Sequence, residues 1–339
     1  MPLKKPVIAV TMGDPAGIGP EIILKGLVNP AITEVCSPMV IGDLNWLRFT
    51  AKTLNLSVKM HLAHSVAECK FTPGTLEVMD LKNVNMEHCK FGVLSPENGV
   101  ASYRYIEDAV RLAMSRRVDA IVTAPITKEA LAQAGYPYIA HTEIIAHLTG
   151  SVNPTMMLCN GKLNVTHVST HVSLRNAIEM VKTARVLDVI KMTDGAIRKF
   201  GVENPRIAVA GLNPHAGENG LFGTEELREI IPAIQAAQAQ GIQASGPYSA
   251  DAVFPHAAAG RYDAVVAMYH DQGHIPLKTL DFKYEGNVLS DMSGVNISLG
   301  LPITRVSVEH GTAYDIAGKG VAVVDSFLSA IQYAVKLAK

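Results

Sequence analysis

Short β-branched and apolar runs recur along the chain, separated by longer stretches in which apolar residues return at helical spacing. Strands are expected at 7–11 (VIAVT), 39–43 (MVIGD), 119–124 (DAIVTA), 163–170 (LNVTHVST), 206–212 (RIAVAGL), 263–269 (DAVVAMY) and 304–308 (TRVSV). Several of these are apolar at every position, as strands covered on both faces are. Helices are expected at 20–28, 103–116, 127–134, 184–200, 224–240 and 325–338. Thr224 with Glu225 and Glu226 is a helix start in outline, an N-cap followed by acids in the first turn. Strands alternating with helices predict an α/β protein with largely parallel sheets. The chain has 339 residues, more than one core usually serves, so two lobes are expected. With no repeat and no low-complexity linker, strands running through both lobes are expected to join them.

Composition narrows the function. Apolar residues make up 48% and charged residues 18%, which excludes disorder. A net charge of −1 leaves no basic face for nucleic acid or an acidic membrane, although a local basic pocket is compatible with it. Cys36, Cys69, Cys89 and Cys159 are widely spaced without a C-x-x-C, which disfavours a zinc knuckle or redox pair and fits reduced thiols. Lys4 and Lys5 precede PVIAVTM, but that run is too short for a signal peptide and GDPAG follows instead of a cleavage site. No stretch approaches the ~20 apolar residues of a membrane span. A cytoplasmic protein is expected.

Chemistry concentrates in the histidines. Of 12, His61, His64 and His88 are expected at the surface without partners, and His147 and His256 in similar roles. His171, His215 and His270 each follow a predicted strand, at the carboxyl edge where open α/β sheets bind ligands. Three imidazoles converging there, with one position left open, make a catalytic metal site. His274 lies four residues past His270 in a stretch expected to be a glycine-containing loop, so helical spacing is not applied to it. His167 is expected inside its strand, facing a helix layer or the core. Both are candidates for supporting the site. His141 and Thr142 stand just before a helix, where an anion can bind. Lys278, Asn296 and Arg305 suit a phosphate or carboxylate, or are plain surface polarity. GDPAGIGPE (13–21) has neither the G-x-G-x-x-G spacing nor a P-loop's G-K-[ST]; it is a tight turn with Pro20 in the first turn of a helix. EHGTAYDIAGKG (309–320) lets backbone approach a ligand, or is an ordinary loop.

The segments TMGDPAGIGPE, APITKEAL, HTEIIAHLTG, STHVSLR, GLNPHAGE, AMYHDQGHIPLK, GVNISLGLP and VEHGTAYDIAGKG, in order from residue 11 to about 320, resemble the 4-hydroxythreonine-4-phosphate dehydrogenase family. GDPAGIGPE and HGTAYDIAGKG also resemble the turn and adenine-binding loop of isocitrate and isopropylmalate dehydrogenases. The resemblance implies a two-lobed α/β/α subunit with its active site in the interlobe cleft. The expected lobes are residues 1–125 with 300–339, carrying the dinucleotide loop, and 126–299, carrying the metal histidines and dimer contacts. It implies NAD or NADP held at Gly311, Thr312, Ala313 and Asp315, and a divalent ion (Zn, Mg, Mn, Co or Ni) on His171, His215 and His270. It further implies a homodimer in which His270 comes from the partner. Substrate-binding roles carry over onto His141, Thr142, Lys278, Asn296 and Arg305, with Lys278 or Asp271 assisting proton transfer. The implied reaction is oxidation of a 4-phosphorylated 3-hydroxy acid to a β-keto acid, followed by loss of CO2, because a metal that acidifies the alcohol also stabilises the enolate.

TLDFKYEGNVLSDMSGV, between Lys278 and Asn296, is longer than expected for the vitamin B6 enzyme. It resembles paralogues acting on 4-phospho-D-threonate or 4-phospho-D-erythronate. The alternatives are a ring-diol dicarboxylate dehydrogenase of aromatic degradation and a metal-dependent aldolase of sugar phosphates; only the aldolase has no need of a dinucleotide loop.

Overall fold

The computed structural model describes residues 5–138, 140–285 and 288–338. It divides into two units, residues 1–154 with 301–339 and residues 155–300. Residues 126–154, expected in the second lobe, belong to the first unit, because the helices Lys128–Gln133 and His141–Thr149 pack on the helix Pro96–Met114.

Strands are numbered in chain order. The first unit holds β1 (Val7–Thr11), β2 (Ser37–Gly42), β3 (Lys59–Ala63), β4 (Thr75–Asp80), β5 (Ala120–Thr123) and β14 (Arg305–Val308), in spatial order β3-β4-β2-β1-β5-β14. Every pairing within this set is parallel. β1 and β5 are buried at every position, as their unbroken apolar runs require. The helix Pro96–Met114 starts on Ser95, whose hydroxyl accepts from Glu97 N at 3.1 Å.

The second unit holds β6 (Thr155–Cys159), β7 (Asn164–His167), β8 (Ile207–Ala210), β9 (Ala244–Tyr248), β10 (Ala264–Ala267) and β13 (Val295–Leu299), in order β13-β6-β7-β10-β8-β9. β11 (Lys283–Glu285) and β12 (Val288–Asp291) form a separate antiparallel pair. Alternate residues feed two cores. Ile207, Val209 and Val266 pack with Val189, Ile190 and Ile234, whereas Ala208, Ala210 and Val265 pack with Val253, Phe254 and Leu277. The period of two therefore puts apolar surface on both faces of this sheet.

β6 departs from the parallel pattern, running antiparallel to both β7 and β13. Only residues 160–163 separate it from β7, too few for a crossover. Asn160 closes that turn, accepting from Lys162 N at 3.1 Å and Leu163 N at 2.8 Å. TMMLC has no Val or Ile to mark it, KMHLA of β3 and ASGPY of β9 have none either, and TLEVMD of β4 has Val78 alone.

The helix expected at 224–240 begins instead with a π turn, Glu226–Ile230, that runs into Ile231–Gln238. Thr224 does not cap it. Glu225 and Glu226 turn back toward residues 212–213, so they serve the loop after β8 and not the helix start. His61 also departs from expectation: its Nδ1 lies 2.6 Å from Oε2 of the fully buried Glu77.

Candidate functional sites

β7, β10 and β8 are adjacent and parallel, so the segments carrying His171, His270 and His215 leave one edge of the second unit's sheet. His171 and His270 border a cavity of about 500 Å³, with ring centroids 5.9 Å apart. His215 is not part of this cluster; its ring neighbour is Phe222, at 6.4 Å. Among the described residues no three His, Cys, Asp or Glu side chains group to hold a metal ion. The expected convergence of three rings is therefore absent within one chain. Beyond β8 the backbone is unusual, since residues 215–219 all take left-handed φ values, from 43° to 78°. Four of these are not glycine, a conformation costing roughly 1–2 kcal/mol per residue. The buried Glu226 carboxylate holds the start of the turn, accepting from Leu212 N and Asn213 N, both at 2.8 Å.

HDQGH is where the structure adds most. It opens the helix His270–Asp281, not a loop, so His270 and His274 are one turn apart and Lys278 follows one turn later. The two rings stack at 3.6 Å, and His274 Nδ1 lies 2.9 Å from the His270 carbonyl, which fixes Nδ1–H as donor. Asp271 sits with its carboxylate 2.6 Å from His270 Nδ1. It thus fixes the ring and leaves Nε2 available, as carboxylates behind metal-binding histidines do. Gln272 is buried and ties two strand ends together, accepting from Met268 N and donating to Gly211 O, both at 2.7 Å. At Gly273 a Cβ would stand 2.3 Å from His167 Nε2, so helix and β7 meet at a glycine. His167 is fully buried; burial is the main cause lowering it to about 3, and His274 is lowered to about 4 for the same leading reason. Lys278 is exposed, with Nζ 5.6 Å over the Phe282 ring. Asn296, on β13, has a buried Oδ1 without a hydrogen-bond partner among the described residues.

The segment after this helix is anchored by Asp281. Its buried carboxylate accepts from Ser293 Oγ at 2.9 Å and Gly294 N at 2.8 Å, closing the β11–β12 pair against the helix end. Residues 286–287 lie outside the described residues.

In the first unit, Arg305 begins β14 beside β5. Only 2% exposed, it donates through Nε and Nη2 to Thr123 Oγ1 at 3.2 and 2.8 Å. Burial lowers its guanidinium to about 9. His141 and Thr142 are the first two residues of the helix His141–Thr149, within it and not ahead of it. Burial first, and then the Arg305 charge, push His141 well below its ordinary value. Its Nε2 is buried without a hydrogen-bond partner among the described residues. A buried cation and an unmatched imidazole nitrogen thus lie within electrostatic reach of each other.

Gly311, Thr312, Ala313 and Asp315 leave β14 as a loop. A Cβ on Gly311 would meet nothing within 4 Å, Ala313 has φ 43°, and Asp315 is exposed. The backbone at Gly311 is thus open, and the left-handed conformation falls on Ala313. Sequence reasoning missed Thr123, Gln272 and Gly273. The available signal was their position, at or just beyond the ends of adjacent parallel strands.

The family model for the pyridoxal phosphate biosynthetic protein PdxA matches residues 34–334. A D-threonate 4-phosphate dehydrogenase from Cupriavidus necator is 45% identical over 98% of this chain and 97% of its own length. The crystal structure of a 4-hydroxythreonine-4-phosphate dehydrogenase from Klebsiella pneumoniae superposes with a TM-score of 0.85 at 43% identity, covering 99% of this chain and 100% of that one. One from Burkholderia phymatum gives 0.83 at 43% identity, covering 98% of each.

Proposed function

The chain belongs to the PdxA family, and from that premise we infer that it oxidises a 4-phosphorylated 3-hydroxy acid, with 4-phospho-D-threonate as the preferred substrate. The carrying observation is the row His270, His274 and Lys278 on one helix, with His171 across a shared cavity. The Cupriavidus necator relative's name supports threonate over hydroxythreonine.

The balance of the reaction is simple. Carbon 3 gives a hydride to NAD or NADP and its hydroxyl gives up a proton, leaving a β-keto acid. That acid loses CO2, and the resulting enolate takes up a proton to give a three-carbon ketone phosphate. His171 and His270, with His215, would hold a divalent ion, which when bound acidifies the hydroxyl and draws electrons from the ketone. Asp271 keeps His270 Nδ1 protonated and Nε2 directed outward. Lys278, with three N–H donors, is the group suited to hydrogen-bond the developing negative oxygen or return the proton. Arg305 and His141 supply an anion pocket, with Thr142 at the amino end of the same helix. Gly311, Thr312, Ala313 and Asp315 carry the dinucleotide.

A second copy of the chain completes the metal set by supplying His270 to the partner's His171 and His215. Val172, Leu174 and Ile178, exposed apolar residues near the cavity, are the kind of surface a second copy covers. The test is reduction of NAD and NADP at 340 nm with 4-phospho-D-threonate, 4-phospho-D-erythronate and 4-phosphohydroxy-L-threonine, each before and after chelation. We expect the largest kcat/KM with threonate and its loss on chelation; dinucleotide reduction by none of the three would refute the reading.

A further inference from the structure

The motif GDPAGIGPE has no ligand spacing of its own, yet it is buried throughout. Its surroundings explain this. β1, β5 and β14 are adjacent and parallel, so the segments after them leave at one edge, and three side chains from those segments form a hydrogen-bonded row. Thr127 Oγ1 donates to Tyr314 OH at 2.8 Å, and Tyr314 OH donates to Asp14 Oδ2 at 2.7 Å. Asp14 Oδ1 accepts from Ala16 N at 2.9 Å, which shapes the turn that carries it. Ile18 N donates to Thr312 O at 2.9 Å, and a Cβ on Gly17 would lie 2.9 Å from both Thr312 Cβ and Thr312 O.

One helical turn further on, Glu21 repeats the arrangement at the far end of the same loop. Its carboxylate, 1% exposed, accepts from Ala322 N at 2.8 Å and Gly320 N at 3.2 Å. Lys25 pairs with it at 2.6 Å and donates to Gly320 O at 2.7 Å. Two buried carboxylates from one turn and helix thus hold residues 312–314 and 320–322. A buried carboxylate is costly unless it is fully hydrogen-bonded, and these two spend their oxygens on backbone N–H groups, one phenol and the Lys25 ammonium.

We propose that Asp14 and Glu21 are positioning residues for the dinucleotide, clamping the loop 311–322 at both ends so that its open backbone at Gly311 to Asp315 is preformed. Resting on the reading of that loop given above, the proposal assigns GDPAGIGPE to cofactor affinity and not to chemistry. Burial is the leading influence on both partners of the first clamp and raises the Asp14 carboxyl and the Tyr314 phenol alike.

The test uses the full-length chain and three single variants, Tyr314→Phe, Asp14→Asn and Glu21→Gln. Calorimetry gives the dissociation constant for NAD and NADP, steady-state kinetics gives KM for dinucleotide and for the hydroxy acid with kcat, and amide hydrogen exchange follows residues 311–322. Trp46 is the only tryptophan, and its indole N–H donates to Pro15 O at 2.7 Å, so its emission reports on the turn directly. Losing one such hydrogen bond should weaken dinucleotide binding about five- to thirty-fold. KM for dinucleotide should rise in parallel, kcat at saturation and KM for the hydroxy acid should stay within twofold, and exchange in 311–322 should quicken. Tyr314→Phe keeps the ring and is the variant expected to fold in any case. Unchanged affinity and exchange in that variant would overturn the clamp, as would a fall in kcat with KM unmoved. A parent chain that takes up no dinucleotide overturns the cofactor role while exchange still reports whether the clamp exists, so the two failures are separable.

Discussion

Replacing Gln272 by methionine tests the link between fold and site most directly. Met268 N and Gly211 O stand just beyond the ends of β10 and β8, and the Gln272 amide bridges them with two bonds of 2.7 Å while 9% exposed. Methionine has nearly the same length and flexibility, so packing is retained while both bonds are lost. Each buried backbone group left unmatched costs ~1–3 kcal/mol, against which burying an apolar end recovers ~1 kcal/mol. The net destabilisation is about 1–5 kcal/mol, a fall in Tm of roughly 2–20 °C for a unit of this size. Because the helix carrying His270 begins two residues earlier, kcat/KM should drop at least about tenfold as the ring loses its fixed position. Dinucleotide affinity, proposed to rest on residues 311–315, should stay within about twofold, since sites with no shared partners behave independently. Scanning calorimetry and initial rates at matched protein concentration are the assays. A Tm within 2 °C of the parent, or unaltered kcat/KM, would mean that the bridge does not hold the site.

Three further outcomes are expected. Gly273→Ala drives a methyl group to 2.3 Å from His167 Nε2 and 2.7 Å from Val165 Cγ1, so the urea midpoint should fall by an amount equal to about 1–3 kcal/mol; an unshifted midpoint would show that helix and strand can separate freely. Arg305→Lys removes the paired donation to Thr123 Oγ1 and the planar fork, and KM for the phosphorylated acid should rise about 10–100-fold; a change below twofold would remove Arg305 from the anion pocket. His167, lowered to about 3 by burial, stabilises the fold as a neutral ring. That contribution is complete above pH 6.5 and is lost as pH falls from 6.5 toward 3, because the unfolded chain takes the proton first. Over this window His167 alone adds a slope of about 1.4 kcal/mol per pH unit, which His167→Gln should remove; equal slopes from urea titrations of the two proteins would refute it.

The alternation of strands and helices was legible because covered strands must be apolar at every position; VIAVT and DAIVTA could hardly be anything else. β6 was not, since TMMLC has no Val or Ile and its direction depends on a four-residue turn. The candidate histidines were visible from their place after strands, and His171 and His270 do border one cavity. His274 was misread, because the glycine of HDQGH suggested a loop where the helix uses it to pass His167.

By itself the sequence determined which residues sit at the carboxyl edges of strands, since hydrophobic period and strand length are local properties. The family motifs likewise lie in the chain as written. Tertiary structure decided which edge segments meet: Asp14 with Tyr314 across 300 residues, Gln272 between two strands, and His171 with His270 at one cavity. Strand order in the sheet sets these meetings, and it follows from how the helices cover both faces, a balance of buried surface that no local stretch of residues contains.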